Sequence, residues 1–160
     1  MHQTRPALKQ MLVGQYVSKL TDKDRIAIPK KFREEFGQRL ILARWYESCL
    51  VLVSKDSWEK LLIRLIGKTK LVTSPVRDID RFILGSAFEI GLDKQGRFVI
   101  PEILMNYANI RTEVVFVGLG DRIEVWSSTK WDELEKGSLE KASQAIEKIA
   151  REKRERVIKK

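Results

Sequence analysis

The chain carries one sequence pattern twice, 72 residues apart. Residues 20–29 read LTDKDRIAIP, and residues 92–101 read LDKQGRFVIP. In each copy a charged turn is followed by an arginine, three apolar residues and a proline. Further along, LVLVSKDSW at 50–58 matches IEVWSSTKW at 123–131, with a shift of one more residue. This shared order indicates an internal duplication, which constrains the fold before any single element is assigned.

Each copy spans about 60 residues, a size at which a domain buries only a modest share of its surface. Two copies packed against each other bury a larger share of their surface. The 160-residue chain is 43% hydrophobic, which is enough for a shared core. We therefore expect a pseudo-twofold α+β protein in which both copies contribute to one core.

Prolines, helix caps and apolar periodicity place the elements. The predictions for the first copy are strands over 11–20 and 25–29, a short helix from Pro29 to Gly37, a strand pair over 40–43 and 50–53, and a helix capped by Ser54. After a helix over 75–84, the second copy repeats this order. Its hairpin turn is predicted at Gly120-Asp121, and its last helix begins near Ser128 and continues beyond Gly137.

These assignments divide the chain into five segments. They are a flexible N-terminal extension over 1–10, the first repeat over 11–66, a connector and helix over 67–84, the second repeat over 85–137, and a basic helical tail over 138–160. Three roles stay open for the tail: a solvated helix that frays, a helix along a neighbouring subunit, and a basic arm near DNA.

The net charge of +9 is unevenly distributed. Residues 19–44 carry eight basic and four acidic side chains, and residues 141–160 carry eight basic and three acidic ones. The stretch between them, 45–140, has thirteen basic and fifteen acidic side chains. A basic excess on the first copy and the tail suits a polyanionic partner such as nucleic acid, although a solvated basic surface has the same composition.

Basic residues surround the first turn, and few of them recur in the second copy. A strand–turn–strand can enter the major groove of DNA, where lysines neutralise phosphates and an arginine contacts a guanine edge. We expect the first copy to face DNA and the second copy mainly to pack. The predicted DNA-binding residues are Lys19, Lys23, Arg25, Lys30, Lys31 and Arg33 in the first copy, with Lys94 and Arg97 in the second.

Residues suited to catalysis or metal binding are scarce. His2 is the only histidine and Cys49 the only cysteine, so an intrachain disulfide and a zinc cluster are excluded, and a cysteine nucleophile lacks an activating histidine. Asp22, Asp24 and Asp93 lie beside basic residues, which favours salt bridges and turn capping over a cation site. We therefore expect no enzyme activity, no cofactor, no metal and no small-molecule substrate, and a buried Cys49.

No stretch approaches the ~20 apolar residues that span a membrane, and the first ten residues contain no apolar run fit for a signal peptide. We therefore expect a cytoplasmic protein without a membrane partner.

The unit of turn, arginine, three apolar residues and proline resembles the swapped-hairpin DNA-binding domain of AbrB-type regulators. Two copies in one chain resemble the MraZ family of bacterial transcriptional regulators. The second copy, LDKQGRFVIP at 92–101, is nearest the family pattern, and GLGDRIEVW at 118–126 also looks like that family's second half. The resemblance covers about 11–135, nearly everything except the tails.

The resemblance implies two interlocked repeats in a β-barrel-like module flanked by helices, and a homo-oligomeric ring of about eight or more subunits. It also implies binding of double-stranded DNA at repeated promoter boxes upstream of the protein's own gene, in the division and cell-wall cluster, and so a nucleoid-associated location. Two other functions stay open. They are an AbrB-like antitoxin that binds a toxin through its C-terminal helix, and general RNA or nucleoid binding that depends on charge alone.

The first copy departs from the family pattern at two positions. An aspartate stands four residues before Arg97 in the second copy, but Thr21 takes that place in the first. Asp24 stands where the second copy has Gly96, so a residue with a side chain has to adopt the backbone angles of the turn. The substitution also places a negative charge beside Arg25.

Overall fold

The computed structural model describes residues 11–37, 39–67 and 72–159 of the chain. The N-terminal extension predicted over 1–10, with His2, and residues 68–71 of the predicted connector lie outside the described residues. Contacts divide the chain into one unit that ends at Ser128 and a second that begins at Thr129.

In the first unit the two repeats contribute equivalent elements in the same order. The first repeat supplies β1 (Leu12–Lys19), β2 (Arg25–Ala27), α1 (Lys30–Arg33), β3 (Arg39–Arg44), β4 (Leu50–Ser54) and α2 (Lys55–Ile66). The connecting helix α3 (Ser74–Phe82) follows, and the second repeat supplies β5 (Phe88–Gly91), β6 (Arg97–Val99), α4 (Glu102–Ala108), β7 (Glu113–Gly120) and β8 (Ile123–Ser127). The predicted α+β class is confirmed.

The two repeats exchange strands. The large sheet has the order β1-β7-β8-β4-β3-β5, and every neighbouring pair in it is antiparallel. Strand β1 of the first repeat pairs with β7 of the second, and the equivalent strand β5 of the second repeat pairs with β3 of the first. Neither repeat therefore completes its sheet alone. Strands β1 and β5 form the two edges, and the barrel-like closure stays a prediction.

A pseudo-twofold relation between the repeats appears in the strand register. Strands β2 and β6 pair so that Ile26 lies opposite Phe98, its own counterpart 72 residues later. In the large sheet Val51 lies opposite Glu124, its counterpart after the further one-residue shift. Residues that face their own counterparts lie on a twofold axis, so the pseudo-symmetry expected from the duplicated sequence is present in the fold.

The core lies between the large sheet and the β2–β6 pair, and both repeats contribute to it. Alternate residues of β3, β4, β7 and β8 join this core, together with apolar side chains of α1 and α4. Phe32 of α1 is 1% exposed, and its ring meets the ring of Tyr16 edge-on with centroids 5.0 Å apart. The single shared core explains how two copies of about 60 residues each form a stable unit.

Local signals in the sequence place several boundaries. Ser54 caps α2, because its Oγ accepts a hydrogen bond from the backbone N–H of Ser57 at 3.2 Å. The hairpin turn at Gly120-Asp121 is also confirmed, with Gly120 at φ 90°. Helix α1 ends at Arg33 rather than near Gly37, and the residues between them form a turn.

Cys49 is buried, as the sequence predicts. Burial, with the negative charges of Glu124 and Glu47, raises the pKa of the Cys49 thiol far above its ordinary value. The thiol therefore lacks the thiolate character that a nucleophile needs.

The second unit contains nearly all of α5 (Ser128–Lys136) and all of α6 (Ser138–Ile158). The long C-terminal helix is confirmed, but it does not run unbroken from Ser128. Gly137, with φ −105° and ψ 3°, separates α5 from α6. Several apolar side chains of α6 are exposed: Leu139, Ile146, Ile149, Val157 and Ile158. Within the described residues, no helix has the length and apolar character needed to cross a bilayer.

Candidate nucleic-acid interface

Strands β2 and β6 form a two-stranded antiparallel ribbon with one buried and one outward face. The central residue of each strand is buried in the core, so its neighbours face outward because side chains alternate along a strand. Arg25 lies opposite Val99, and Arg97 lies opposite Ala27. The two arginines are therefore diagonal neighbours on the outward face, close enough for long side chains to reach the same partner.

A turn precedes each strand, so the two turns lie at opposite ends of the ribbon. In the first turn the N–H of Thr21 donates to the carbonyl of Arg25 at 2.9 Å, and the equivalent bond closes the second turn at 3.0 Å. Asp24 has φ 56° and its counterpart Gly96 has φ 74°. The last residue of each turn therefore has a left-handed backbone conformation. Aspartate is one of the few residues with a side chain that tolerates this conformation.

The second turn is held by the carboxylate of Asp93. One carboxylate oxygen accepts hydrogen bonds from the backbone N–H of Gln95 at 2.9 Å and of Arg97 at 2.8 Å, and the other accepts from Arg97 Nε at 2.9 Å. These bonds, the backbone N–H of Arg97 above all, hold the pKa of Asp93 below its ordinary value. The Arg97 side chain is therefore fixed in direction by its own turn.

The first turn lacks this ion pair. Thr21 Oγ1 accepts a hydrogen bond from the backbone N–H of Arg25 at 3.2 Å, but its hydroxyl carries no charge to hold a guanidinium. In the described part of the chain, neither Asp22 nor Asp24 makes an ion pair with Arg25. The Arg25 guanidinium is thus available to an incoming partner.

Arg33 of α1 reaches across to the second repeat. Its Nη1 donates a hydrogen bond to the backbone carbonyl of Gln95 at 2.9 Å. The side chain lies over Gly96, where a Cβ would come within 2.2 Å of Arg33 Cδ. Sequence comparison within one repeat could not reveal this contact, because its two ends are 62 residues apart.

The other predicted residues lie around the ribbon. Lys23 and Lys94 are exposed in the two turns, Lys30 and Lys31 are exposed on α1 directly after the first ribbon strand, and Lys19 ends β1 opposite Glu113. The ribbon thus joins basic side chains of both copies on one surface. The predicted division, in which the first copy faces DNA and the second mainly packs, stays a prediction. Arg97 of the second copy nevertheless lies on the same ribbon as Arg25 of the first, and Lys94 lies in the turn before Arg97.

Asp93→Asn is expected to reduce stability near neutral pH and to change its acid dependence. The folded pKa of Asp93 lies below its ordinary value of 3.8. Its charged form therefore stabilises the fold above that value, and this contribution is lost as the pH falls through the folded pKa. Urea unfolding near neutral pH and at about pH 3 should show the gap between variant and wild type narrowing in acid. A gap that is the same at both pH values would contradict the assignment, and Asp22→Asn serves as a control with little expected effect.

Gly96→Ala is expected to lower the free energy of unfolding by about 1–3 kcal/mol. An alanine there adopts an unfavourable left-handed φ and displaces Arg33. The matched control is Gly91→Ala, because a Cβ at Gly91 meets nothing within 4 Å and its φ is not left-handed. Urea unfolding measures both variants, and equal losses would contradict both the left-handed φ and the contact with Arg33 as causes of the loss.

The described residues contain no group of three or more His, Cys, Asp or Glu side chains arranged to hold a metal ion.

Both halves of the chain match one family model. Residues 11–82 and residues 83–153 each match the family described as "MraZ protein, putative antitoxin-like". The chain belongs to the MraZ family. The boundary between the two matches falls at the end of α3, so the family repeat agrees with the duplication seen in the sequence and the strand register.

Relatives of similar length support this membership. The protein named Transcriptional regulator MraZ from Clostridium tetani is 42% identical to this chain over 123 residues, which cover 77% of this chain and 86% of that protein. The one from Oenococcus oeni is 37% identical over 139 residues, covering 87% and 96%. The one from Caldicellulosiruptor saccharolyticus is 38% identical over 142 residues, covering 87% and 99%. Their names describe regulators and not enzymes, in agreement with the expectation from the sequence.

Proposed function

We propose that this protein is a transcriptional regulator that binds double-stranded DNA sequence-specifically through the β2–β6 ribbon and its two turns. One observation carries the proposal: Arg25 and Arg97, from different repeats, share the outward face of a single two-stranded ribbon. The regulator names of its relatives add independent support.

The major groove admits a two-stranded ribbon, and an arginine that enters it bonds the O6 and N7 atoms of guanine in bidentate fashion. Lys23 and Lys94 flank the ribbon at its two ends, and Lys30 and Lys31 follow it on α1. These flanking lysines contact phosphates, which set the register of the ribbon on the duplex but do not read its sequence.

The proposed targets are repeated promoter boxes upstream of the protein's own gene, in the division and cell-wall cluster. Subunits form a ring of about eight or more, and each ring contacts several boxes at once. Linked contacts of this kind raise the overall affinity well above that of one ribbon, provided that the spacing of the boxes fits the ring. The protein is then cytoplasmic and associated with the nucleoid.

A gel-shift titration of the full chain against its own upstream region and against a shuffled duplex of equal length tests this function. We expect specific retention of the upstream region, with an affinity that falls steeply as salt rises because phosphate contacts release counterions. Equal retention of both duplexes would contradict sequence-specific regulation. It would support the alternative of general nucleic-acid binding.

A second candidate is an antitoxin that regulates its own gene and binds a toxin through α6. The antitoxin-like description of the family and the exposed apolar side chains of α6 favour it. The basic character of residues 141–160 makes α6 a poor match for a basic nuclease. Coexpression with the product of a neighbouring gene, followed by co-purification, tests this candidate.

A further inference from the structure

We propose that Arg33 is a positioning residue, which holds the second turn so that Arg97 points at DNA, and that it is not a phosphate contact. This inference rests on the proposed function, but its structural part can be tested without DNA.

The Arg33 side chain is already bound to the second turn in the structure. Nη1 donates to the Gln95 carbonyl at 2.9 Å, and the end of the side chain, from Cδ through Nε to Nη1, lies over buried Gly96. Arg33 Nε is buried, and it has no acceptor among the described residues. A half-buried guanidinium that already bonds a carbonyl would have to break this bond and leave its packing to reach a phosphate.

The contact with Arg33 helps to hold the second turn in one conformation. The backbone carbonyl of Gln95 is held by Arg33, and its backbone N–H is held by the Asp93 carboxylate. The same carboxylate holds both the backbone and the guanidinium of Arg97. The segment that leads into Arg97 is therefore fixed from both sides. A side chain that is ordered before binding loses less conformational entropy when it binds.

Within the described part of the chain, the first turn has no equivalent of either the Arg33 contact or the Asp93 ion pair. The counterpart of Arg33 is Met105, which is partly buried against the core and has no cation to offer a carbonyl. Thr21 stands in the place of Asp93, so the first turn also lacks the ion pair. The two ends of the ribbon thus differ: Arg97 is held in advance, whereas Arg25 is free to adapt.

Amide hydrogen exchange of the full chain without DNA tests the structural part. Arg33→Met, which copies the residue of the other repeat, should speed exchange at Gln95, Gly96 and Arg97 by roughly 10-fold or more. The amides of Asp24 and Arg25 in the first turn serve as the internal control and should not change. Unchanged exchange in the second turn would overturn the proposal. Far-UV circular dichroism verifies that the variant is folded.

A double-mutant cycle tests the functional part with the upstream duplex and its shuffled control. Arg33→Met should weaken binding to the upstream duplex about 10-fold in the wild-type background and have little further effect when Arg97 is already alanine. Its salt slope should match that of the wild type. Lys30→Met is the matched control, which should lower the slope by about 1 and act additively with Arg97→Ala. An additive Arg33→Met effect with a reduced slope would show a phosphate contact and overturn the proposal.

Arg33→Lys separates charge from geometry. Lysine keeps the positive charge but lacks the rigid fork of arginine. A positioning role predicts that the lysine variant exchanges as fast as the methionine variant, whereas a phosphate contact predicts wild-type exchange and affinity. If the wild-type protein does not prefer its upstream duplex, the proposed function fails, and hydrogen exchange alone still decides whether Arg33 holds the turn.

Discussion

Replacing both Arg25 and Arg97 with alanine is expected to weaken binding to the upstream duplex by roughly 30- to 25,000-fold. Each arginine that bonds a guanine edge in bidentate fashion contributes about 1–3 kcal/mol of discrimination. The two lie on the same outward face of the ribbon, so one groove can take both. Binding to the shuffled duplex should fall much less, because that binding depends on phosphate contacts. Gel-shift or anisotropy titrations at one fixed salt concentration measure both duplexes.

The matched control is a pair of exposed arginines outside the ribbon and its turns. Arg77 and Arg81 both lie on α3, and replacing both removes the same charge. We expect this pair to weaken binding to the two duplexes equally and only slightly, through the lower overall charge. If the control pair reduced the preference for the upstream duplex as much as the ribbon pair, the ribbon would not be the reading surface.

Phe32→Ala is expected to lower the free energy of unfolding by about 3–5 kcal/mol. Phe32 is 1% exposed, packs edge-on against Tyr16 and lies in the core shared by both repeats. Domains of this size have a total stability of about 5–15 kcal/mol, so the loss removes a large part of it. Urea unfolding followed by tryptophan fluorescence measures the change.

Phe88→Ala provides the comparison for this loss. Phe88 begins β5 and is 40% exposed, so its truncation removes less buried surface and leaves no closed cavity. We expect a loss of about 1 kcal/mol or less for this variant. A similar loss in both variants would contradict the description of α1 as part of the shared core.

Local physical rules account for the parts of the fold that sequence reasoning predicts well. Ser54 begins a helix because its hydroxyl accepts a backbone N–H that the helix itself cannot satisfy. Gly120 turns a hairpin because it adopts a positive φ without steric cost. The end of α1 at Arg33 and the break at Gly137 were not predicted, because apolar spacing continues through both places and does not record where the backbone leaves the helix.

The candidate site is a different matter, because its key contacts join distant parts of the chain. Within one repeat, Arg33 is simply another basic residue near a turn, and nothing nearby in the sequence distinguishes it from Lys30. Its packing over Gly96 depends on the exchange of strands between repeats. The sequence signal that could have pointed to this contact is that two positions differ together between the copies. One end of the ribbon has Gly96 and Arg33, and the corresponding positions at the other end are Asp24 and Met105.

The sequence by itself determined the duplication, the order of the elements, the α+β class and the family, because these depend on local propensities and on a repeated pattern. Only the tertiary structure decided which strands the interlocked repeats exchange, with β1 pairing with β7 and β5 with β3, and that Arg25 and Arg97 share one outward face. It also decided that Arg33 bonds the second turn. These outcomes follow from the burial of one common core by two copies, and that packing brings together residues that the chain keeps far apart.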